Sequence, residues 1–431
     1  MSTQKINDPS PLRAAIIGGG AAGMLAAGML GELSDCSITV FEKNRQAGRK
    51  LAITGKGRCN LTNNCTPDEF LRHVVANPRF LFGALNAFPP EATMELFEKL
   101  GVPLKTERGR RVFPVSDRAY DIVDALRAYA GRSAQFRFSC VVRKTEYTEK
   151  GFCLTTDSGT ELFDLLLLAT GGVSYPATGS TGDGYRFARS LGHTVVPPAA
   201  SLVPIECADR ALCASMMGLT LKNIALRIED GTGKTVYSDF GELLFTHFGV
   251  SGPTVLSASA FLREDDLTGY TAILDLKPAL NEAELDARLL SDLAAGQNRD
   301  LINLLHGLLP AKMCAPFAQL AGVNEHKKAN SITKEERKRI LRNLKHFPIR
   351  LLRLRPREEA VITAGGVSVR EIDPKTMQSK RCPGLYFAGE LIDCDALTGG
   401  YNLQIAFSTA AAAARGMAGC KPGNPDRKEE S

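Results

Sequence analysis

The stretch Ala14–Glu42 constrains this 431-residue chain more than any other. It reads as an apolar strand, a turn rich in glycine, a helix of small residues, a second strand and an acid. The turn carries Gly18-x-Gly20-x-x-Gly23. In such a unit the first glycine permits the tight turn and the second lets backbone approach a pyrophosphate. The third lets the helix pack close to the strand. Ala22 falls in the first helical turn, where free N–H groups and a partial positive charge favour an anion. Glu42 ends the second strand, 19 residues after Gly23. An acid there accepts from a ribose 2′-OH. The pattern predicts a dinucleotide-binding Rossmann unit.

A signal peptide or membrane helix is the competing reading, because no charge occurs from Ala14 to Gly31. Six glycines in those 18 residues argue against it. A spanning helix needs about 20 mostly apolar residues, and a signal peptide needs a basic start and a cleavage site. No other segment is long and apolar enough to span a membrane, so a soluble protein is expected. A hydrophobic content of 44% suits a large core, and the length suggests two or three domains. The eleven cysteines show no CxxC and no zinc-like spacing. Reduced thiols in a cytoplasm are therefore expected, with no metal centre. Net charge is +6, yet residues 327–357 hold twelve Lys/Arg and two Glu.

After the glycine unit comes Gly48–Asn63, a loop with three glycines, four basic residues and little apolar periodicity. It suits wrapping on an anionic ligand. Residues 67–102 read as helical, and 109–118 as polar and turn-rich. Ser116-Asp117 is expected to start a helix to about Tyr129. Phe136–Arg143 and Gly151–Thr156 read as strands, and Val142 sits where a strand can offer its backbone to an adenine ring. Leu162–Gly172 is a continuous apolar run ending in glycines, expected to be a strand buried on both faces. A helix is expected from Gly179–Gly184 through Leu191.

Near Pro197-Pro198 the texture changes. Short alternating runs over 195–280, and again over 346–360, predict a β-rich insert, with a helical insert between them at 281–345. Residues 1–194 and 361–418 then form the two parts of the nucleotide-binding domain. Residues 1–12 are expected to fray and 419–431 to form a disordered tail.

Glu42 followed by Gly48-Arg49 resembles the E-x5-G-R pattern of flavoprotein oxidases and reductases. Ala169-Thr170-Gly171-Gly172 and Leu385-Tyr-Phe-Ala-Gly-Glu390 add to it. In the glutathione-reductase-like FAD fold a matching Gly-Asp places its acid on the ribityl chain. Here Gly389 is followed by Glu390, with Asp393 close behind, and either acid can take that place. The longer motifs are Thr54–Asn63, Gly109–Asp117, Thr246–Pro253 and Gly399–Gln404. They are similar to the BaiN/RdsA-type family, also described as HI-type or aminoacetone-oxidase-like flavoproteins, over residues 13–418.

That resemblance implies a split FAD domain interrupted by a β-barrel-like and a helical insert. It also implies NAD(P)H-linked reduction of an electron-poor C=C bond, with substrates in the family ranging from steroid-like enones to a uracil in ribosomal RNA. Asp393-Cys394-Asp395-Ala396 departs from the family's small apolar residue and Gly. The implied FAD-binding set is Gly18, Gly20, Ala22, Gly23, Glu42, Lys43, Arg49, Lys50, Gly57, Arg58, Cys59, Asn60, Val142, Thr170, Gly171, Gly389, Glu390, Asp393, Gly400, Tyr401, Asn402 and Leu403. With no second Rossmann unit, NAD(P)H has to bind transiently.

A helix N-terminus at Gly400–Leu403 stabilises negative charge on a reduced flavin. Cys59 lacks a disulfide partner at short spacing and reads as a packing residue rather than a redox thiol. His247 can act as a general acid opposite the hydride or serve only structure. Tyr401 is the rival proton donor. The basic run 327–357 reads either as a solvated helix face with apolar stems or as an electrostatic contact for RNA. A small-molecule oxidoreductase is the leading expectation. An RNA-modifying flavoenzyme and a flavin-binding protein with little turnover stand behind it. Oligomeric state is open.

Overall fold

The computed structural model describes residues 11–262 and 266–420. The segments expected to be frayed or disordered fall almost wholly outside those residues. The chain divides into two compact units, Met1–Ala200 with Val361–Ser431, and Ser201–Ala360.

The first unit is built on a five-stranded parallel sheet. Its order is Leu385–Phe387, Leu165–Leu168, Arg13–Ile17, Ser37–Phe41 and Ala134–Arg137. Residues 14–17, 38–41 and 165–168 are all buried. That explains why these strands read as unbroken apolar runs: helices cover both faces of a parallel sheet. The helix Ala21–Leu33 follows the glycine turn and packs on the long final helix Tyr401–Ala418. Small residues permit the approach, since Ala410–Ala414 are all at most 2% exposed. Gly28 is needed for a similar reason: a Cβ there would sit 2.3 Å from the Tyr129 ring.

The second unit contains a closed six-stranded antiparallel barrel. Its order is Ile205–Cys207, Gly249–Ser251, Thr235–Phe245, Thr220–Glu229, Thr271–Asp275 and Phe347–Leu354. Alternate residues such as Ile224, Leu226 and Ile228 are buried and share one apolar core with the helices Glu282–Ala295, Ala311–Leu320 and Lys334–Lys345. The Rossmann sheet and the barrel both agree with the expected fold class.

Several local expectations are corrected. Residues 67–102 form three helices, Pro67–Leu71, Pro78–Ala87 and Pro90–Lys99. Each starts at a proline, which fits only the first turn. The run at 162–172 is two strands, because Asp164 breaks it and accepts the Arg13 N–H at 2.7 Å. The expected strand at 136–143 stops at Arg137, and a new one starts at Val142. Between them the Ser139 and Cys140 N–H groups donate to the Asn44 and Glu42 carbonyls. The turn-rich segment contains a strand, Arg111–Pro114, paired with Thr62–Asn63 and Leu104–Glu107. The next helix begins at Ala119, not at Ser116-Asp117.

Candidate functional site

The three fingerprint glycines divide by what surrounds them. A Cβ on Gly18 would lie 2.4 Å from the Ala169 carbonyl oxygen, and one on Gly23 would lie 1.9 Å from the Gly18 carbonyl oxygen. Both are therefore required by the chain's own packing. Gly20 is not: a Cβ there meets no protein atom within 4 Å, and its φ of −84° suits any residue. Gly20 also caps a helix with no side-chain cap and no acid in its first turn. This is a cradle open to an anionic group, and the residues present fit a dinucleotide pyrophosphate.

Glu42 is buried beside that turn. Its Oε2 accepts the Gly19 N–H at 2.9 Å, and its Oε1 accepts both the backbone and side-chain N–H of Asn44. Arg49 donates to Asn44 Oδ1, and Lys43 bonds Thr181 and Asp183. Thr170 and Gly171 follow the strand Leu165–Leu168, with Gly171 at φ +73°.

Lys50 and Glu390 are brought together from opposite ends of the unit, at 2.5 Å. Glu390 also accepts from the Ser174 hydroxyl and the Thr363 N–H, both at 2.9 Å. Burial alone would raise its pKa. The Lys50 ammonium and these hydrogen bonds outweigh that, so the carboxyl is held below its usual range. Both oxygens of Glu390 are thereby committed within the protein. Asp393 sits on the next turn, where Asn77 Nδ2 donates to its carbonyl and to its carboxylate, at 2.6 and 3.0 Å. Gly389 has φ +76°, and a Cβ there would press on Ala22 at 3.1 Å. It lets the return turn reach the start of the first helix.

Gly400 caps the final helix at φ +97°, and a Cβ there would sit 2.4 Å from the Thr62 backbone. Asn60 belongs to the same junction. In the orientation its neighbours dictate, its amide donates to the Thr62 carbonyl and accepts the Gly400 N–H, at 3.2 and 3.0 Å. Asn402 turns back and clasps the Ala396 backbone through both N–H and C=O. Tyr401 stacks on His73 at 4.4 Å and 9°, with Phe70 edge-on at 5.1 Å. Burial pushes the phenol's pKa up. His73 is absent from the sequence-based set, and no motif marks it. Its Nδ1 lies 2.9 Å from the Glu69 carbonyl, which makes that nitrogen the protonated one. Leu403 packs on the apolar core.

Other expected residues have surroundings of their own. Arg58 bonds Glu107 and Asp117 and covers the Phe113 ring at 4.2 Å. Cys59 is fully buried, and burial pushes its thiol up to about 12, which suits packing and not redox work. Gly57, at φ +83°, has open space around it. Val142 is buried at the start of its strand. His247 belongs to the second unit, on the turn between two barrel strands, edge-on to Phe248.

The basic run 327–357 is mostly satisfied from within. Lys334–Lys345 has a capping box from Thr333 and Glu336, acids in its first turn and bases in its last. That is the arrangement a helix dipole favours. Arg337 pairs with Asp286, Lys345 with Asp275, Arg350 with Asp209, and Arg353 and Arg355 with Glu206. Arg339 donates to the carbonyls of Ala321 and Gly322.

Among the described residues no group of three or more His, Cys, Asp or Glu is placed to hold a metal, and no helix is long and apolar enough to cross a membrane. The HI0933-like protein Rossmann domain matches residues 12–416. The chain is 33% identical to the ribosomal RNA dihydrouridine synthase of Haemophilus influenzae, covering 93% of this chain and 96% of that protein. It is 29% identical to the 3-dehydro-bile acid delta(4,6)-reductase of Clostridium scindens, covering 94% and 99%. Among solved structures, 3-ketosteroid delta1-dehydrogenase from Sterolibacterium denitrificans aligns with a TM-score of 0.51 at 15% identity, covering 94% and 99%. That likeness is one of fold.

Proposed function

This chain belongs to the HI0933-like Rossmann family, and we propose that it is an FAD-dependent oxidoreductase reducing an electron-poor C=C bond with NAD(P)H. The observation that carries the reading is Gly20, a glycine its own protein does not need, at the uncapped start of a helix. Bound FAD would supply the hydride-transfer chemistry.

The chain's own residues divide the remaining work. Gly18, Gly20, Ala22 and Gly23 hold the pyrophosphate. Glu42, Lys43, Arg49 and Val142 hold the adenosine end. Thr170, Gly171 and Gly389 let backbone approach the middle of the cofactor. Lys50 and Glu390 brace that turn, and we take Asp393, one turn on, as the ribityl contact in place of Glu390. Gly57, Arg58, Cys59 and Asn60 shape the loop beside Gly400–Leu403. The N-terminus of the final helix, capped by Gly400, would favour negative charge on a bound flavin. Tyr401 is a phenol, protonated at neutral pH with or without the upward push of burial. It is thus equipped to give a proton to the substrate carbon, with His247 as the alternative donor. NAD(P)H binds transiently.

The names of the relatives span two substrate classes that share this chemistry, a small enone and a uracil in RNA. Anaerobic titration with NADH and NADPH, followed by reoxidation with enones and uridine-containing RNA, tests the reading. A yellow protein whose absorbance bleaches and then returns with one substrate class is expected. A Gly20→Val protein should fold but carry no flavin. A colourless protein unable to take up FAD would overturn the proposal.

A further inference from the structure

A groove of about 440 Å³ opens on the first unit, lined by Leu71, Arg72, Pro78, Arg79 and Phe82. These residues lie on and between the helices Pro67–Leu71 and Pro78–Ala87. Phe82 is 55% exposed, and both arginines are exposed. Among the described residues neither guanidinium meets a carboxylate. The acids nearest in sequence are Asp68 and Glu69, and Glu69 is engaged by Arg110 and the Thr66 cap.

An exposed aromatic face flanked by two unneutralised guanidinium groups suits a ligand with a flat ring and anionic groups on either side. An apolar steroid needs an enclosing pocket, and this groove is open. A nucleotide within a single strand offers a ring face and flanking phosphates and needs no enclosure. The chain between the two helices also ties the groove to the candidate site. The His73 carbonyl accepts the Leu397 N–H, and the Val75 N–H donates to the Asp395 carbonyl. With the Asn77 bonds to Asp393, these hold the stretch leading into Gly399–Leu403.

We propose that this groove docks single-stranded RNA, with one base stacked on Phe82 and adjacent phosphates on Arg72 and Arg79. The groove, and not the basic run at 327–357, is the RNA contact. Docking here deepens the uracil reading. It rests on the oxidoreductase reading only for what is done with the bound strand, not for the binding.

The test is fluorescence anisotropy of a labelled uridine-rich RNA of about 12 nucleotides with the full chain across a salt series. Phe82→Ala should weaken binding about fivefold or more, the loss expected for one stacked base. Replacing Arg72 and Arg79 by Glu should weaken it about tenfold or more and flatten the log–log salt slope by about 1.4. Reversing Lys334, Lys338 and Arg342, exposed charges of the basic run, should change it less than about twofold. If the glutamate pair lowers the melting temperature, the pair with glutamine replaces it. Wild-type binding in every groove variant would overturn the proposal, as would no binding by the unaltered protein at low salt. Turnover failing while RNA still binds would sink the oxidoreductase reading and leave the groove standing.

Discussion

Residues 327–357 carry twelve Lys/Arg against two Glu, and residues 71–82 carry two arginines and no acid. By charge density the first region is the obvious anion-binding surface. In the fold the order reverses. Six cations of the first region are neutralised by acids contributed from elsewhere in the second unit, one of them 149 residues earlier. Arg339 is occupied by helix-end carbonyls. The two arginines of the second region meet no such partner among the described residues and stand beside an exposed ring. A run of like charge along a chain is therefore not a surface of like charge. What decides is whether the fold delivers counter-charges to it.

The largest effect is expected at Glu206, whose side chain is 12% exposed and holds Arg353 and Arg355 at 2.8 and 2.6 Å. Glu206→Gln leaves Arg355 with Glu359 alone and Arg353 largely in solvent, and should cost about 1.5 kcal/mol, less than a fully buried pair because neither guanidinium loses every partner. A melting temperature unchanged in this variant would show the basic run to be unsupported after all.

Acid should act on the same contacts. Burial alone would raise the pKa of Glu206 and Asp209, but Arg353, Arg355 and Arg350 overcome it and hold both below the usual carboxylate range. A lowered folded pKa means the stabilisation is complete above the unfolded-state values of about 4. It is lost as pH falls through the folded values. Chemical denaturation at a series of pH values should show stability declining in acid, with a shallower decline in the Glu206→Gln protein. Equal slopes would sink this assignment.

Arg337→Gln removes one partner of a half-buried pair with Asp286 and should cost about 1 kcal/mol. The smallest effect belongs to the groove. Replacing Arg72 and Arg79 by Gln should leave stability within about 0.5 kcal/mol, as for surface sites without partners. A large loss there would mean those arginines are structural.

How far the fold was legible depended on whether a residue's reason was local. Gly18 and Gly23 answer steric problems set by backbone a few residues away or on the adjoining strand, so a short pattern exposes them. Lys50 and Glu390 are 340 residues apart, and Ser174 and Thr363 complete their network; no window of sequence contains it. Asp117 shows the opposite error. A Ser-Asp pair before an apolar pattern signals a helix start, yet Asp117 sits at φ +56° and serves Lys105 and Arg58. The strand Arg111–Pro114 was hidden among arginines and glycines because its place comes from its pairing with two other strands. His73 carries no motif, and only the stacking on Tyr401 draws notice to it.

The central sheet has a consequence for how the protein is made. Its strand Leu165–Leu168 pairs with Leu385–Phe387, so the sheet is incomplete until the ribosome has passed residue 387. The barrel unit, Ser201–Ala360, is contiguous and emerges entirely before that strand. During translation the second unit can close while the first still waits with Leu165–Leu168 unpaired on one edge. Of the sheet's inner strands, Leu165–Leu168 is the last to find both neighbours, and the nascent chain has to keep that edge from pairing elsewhere.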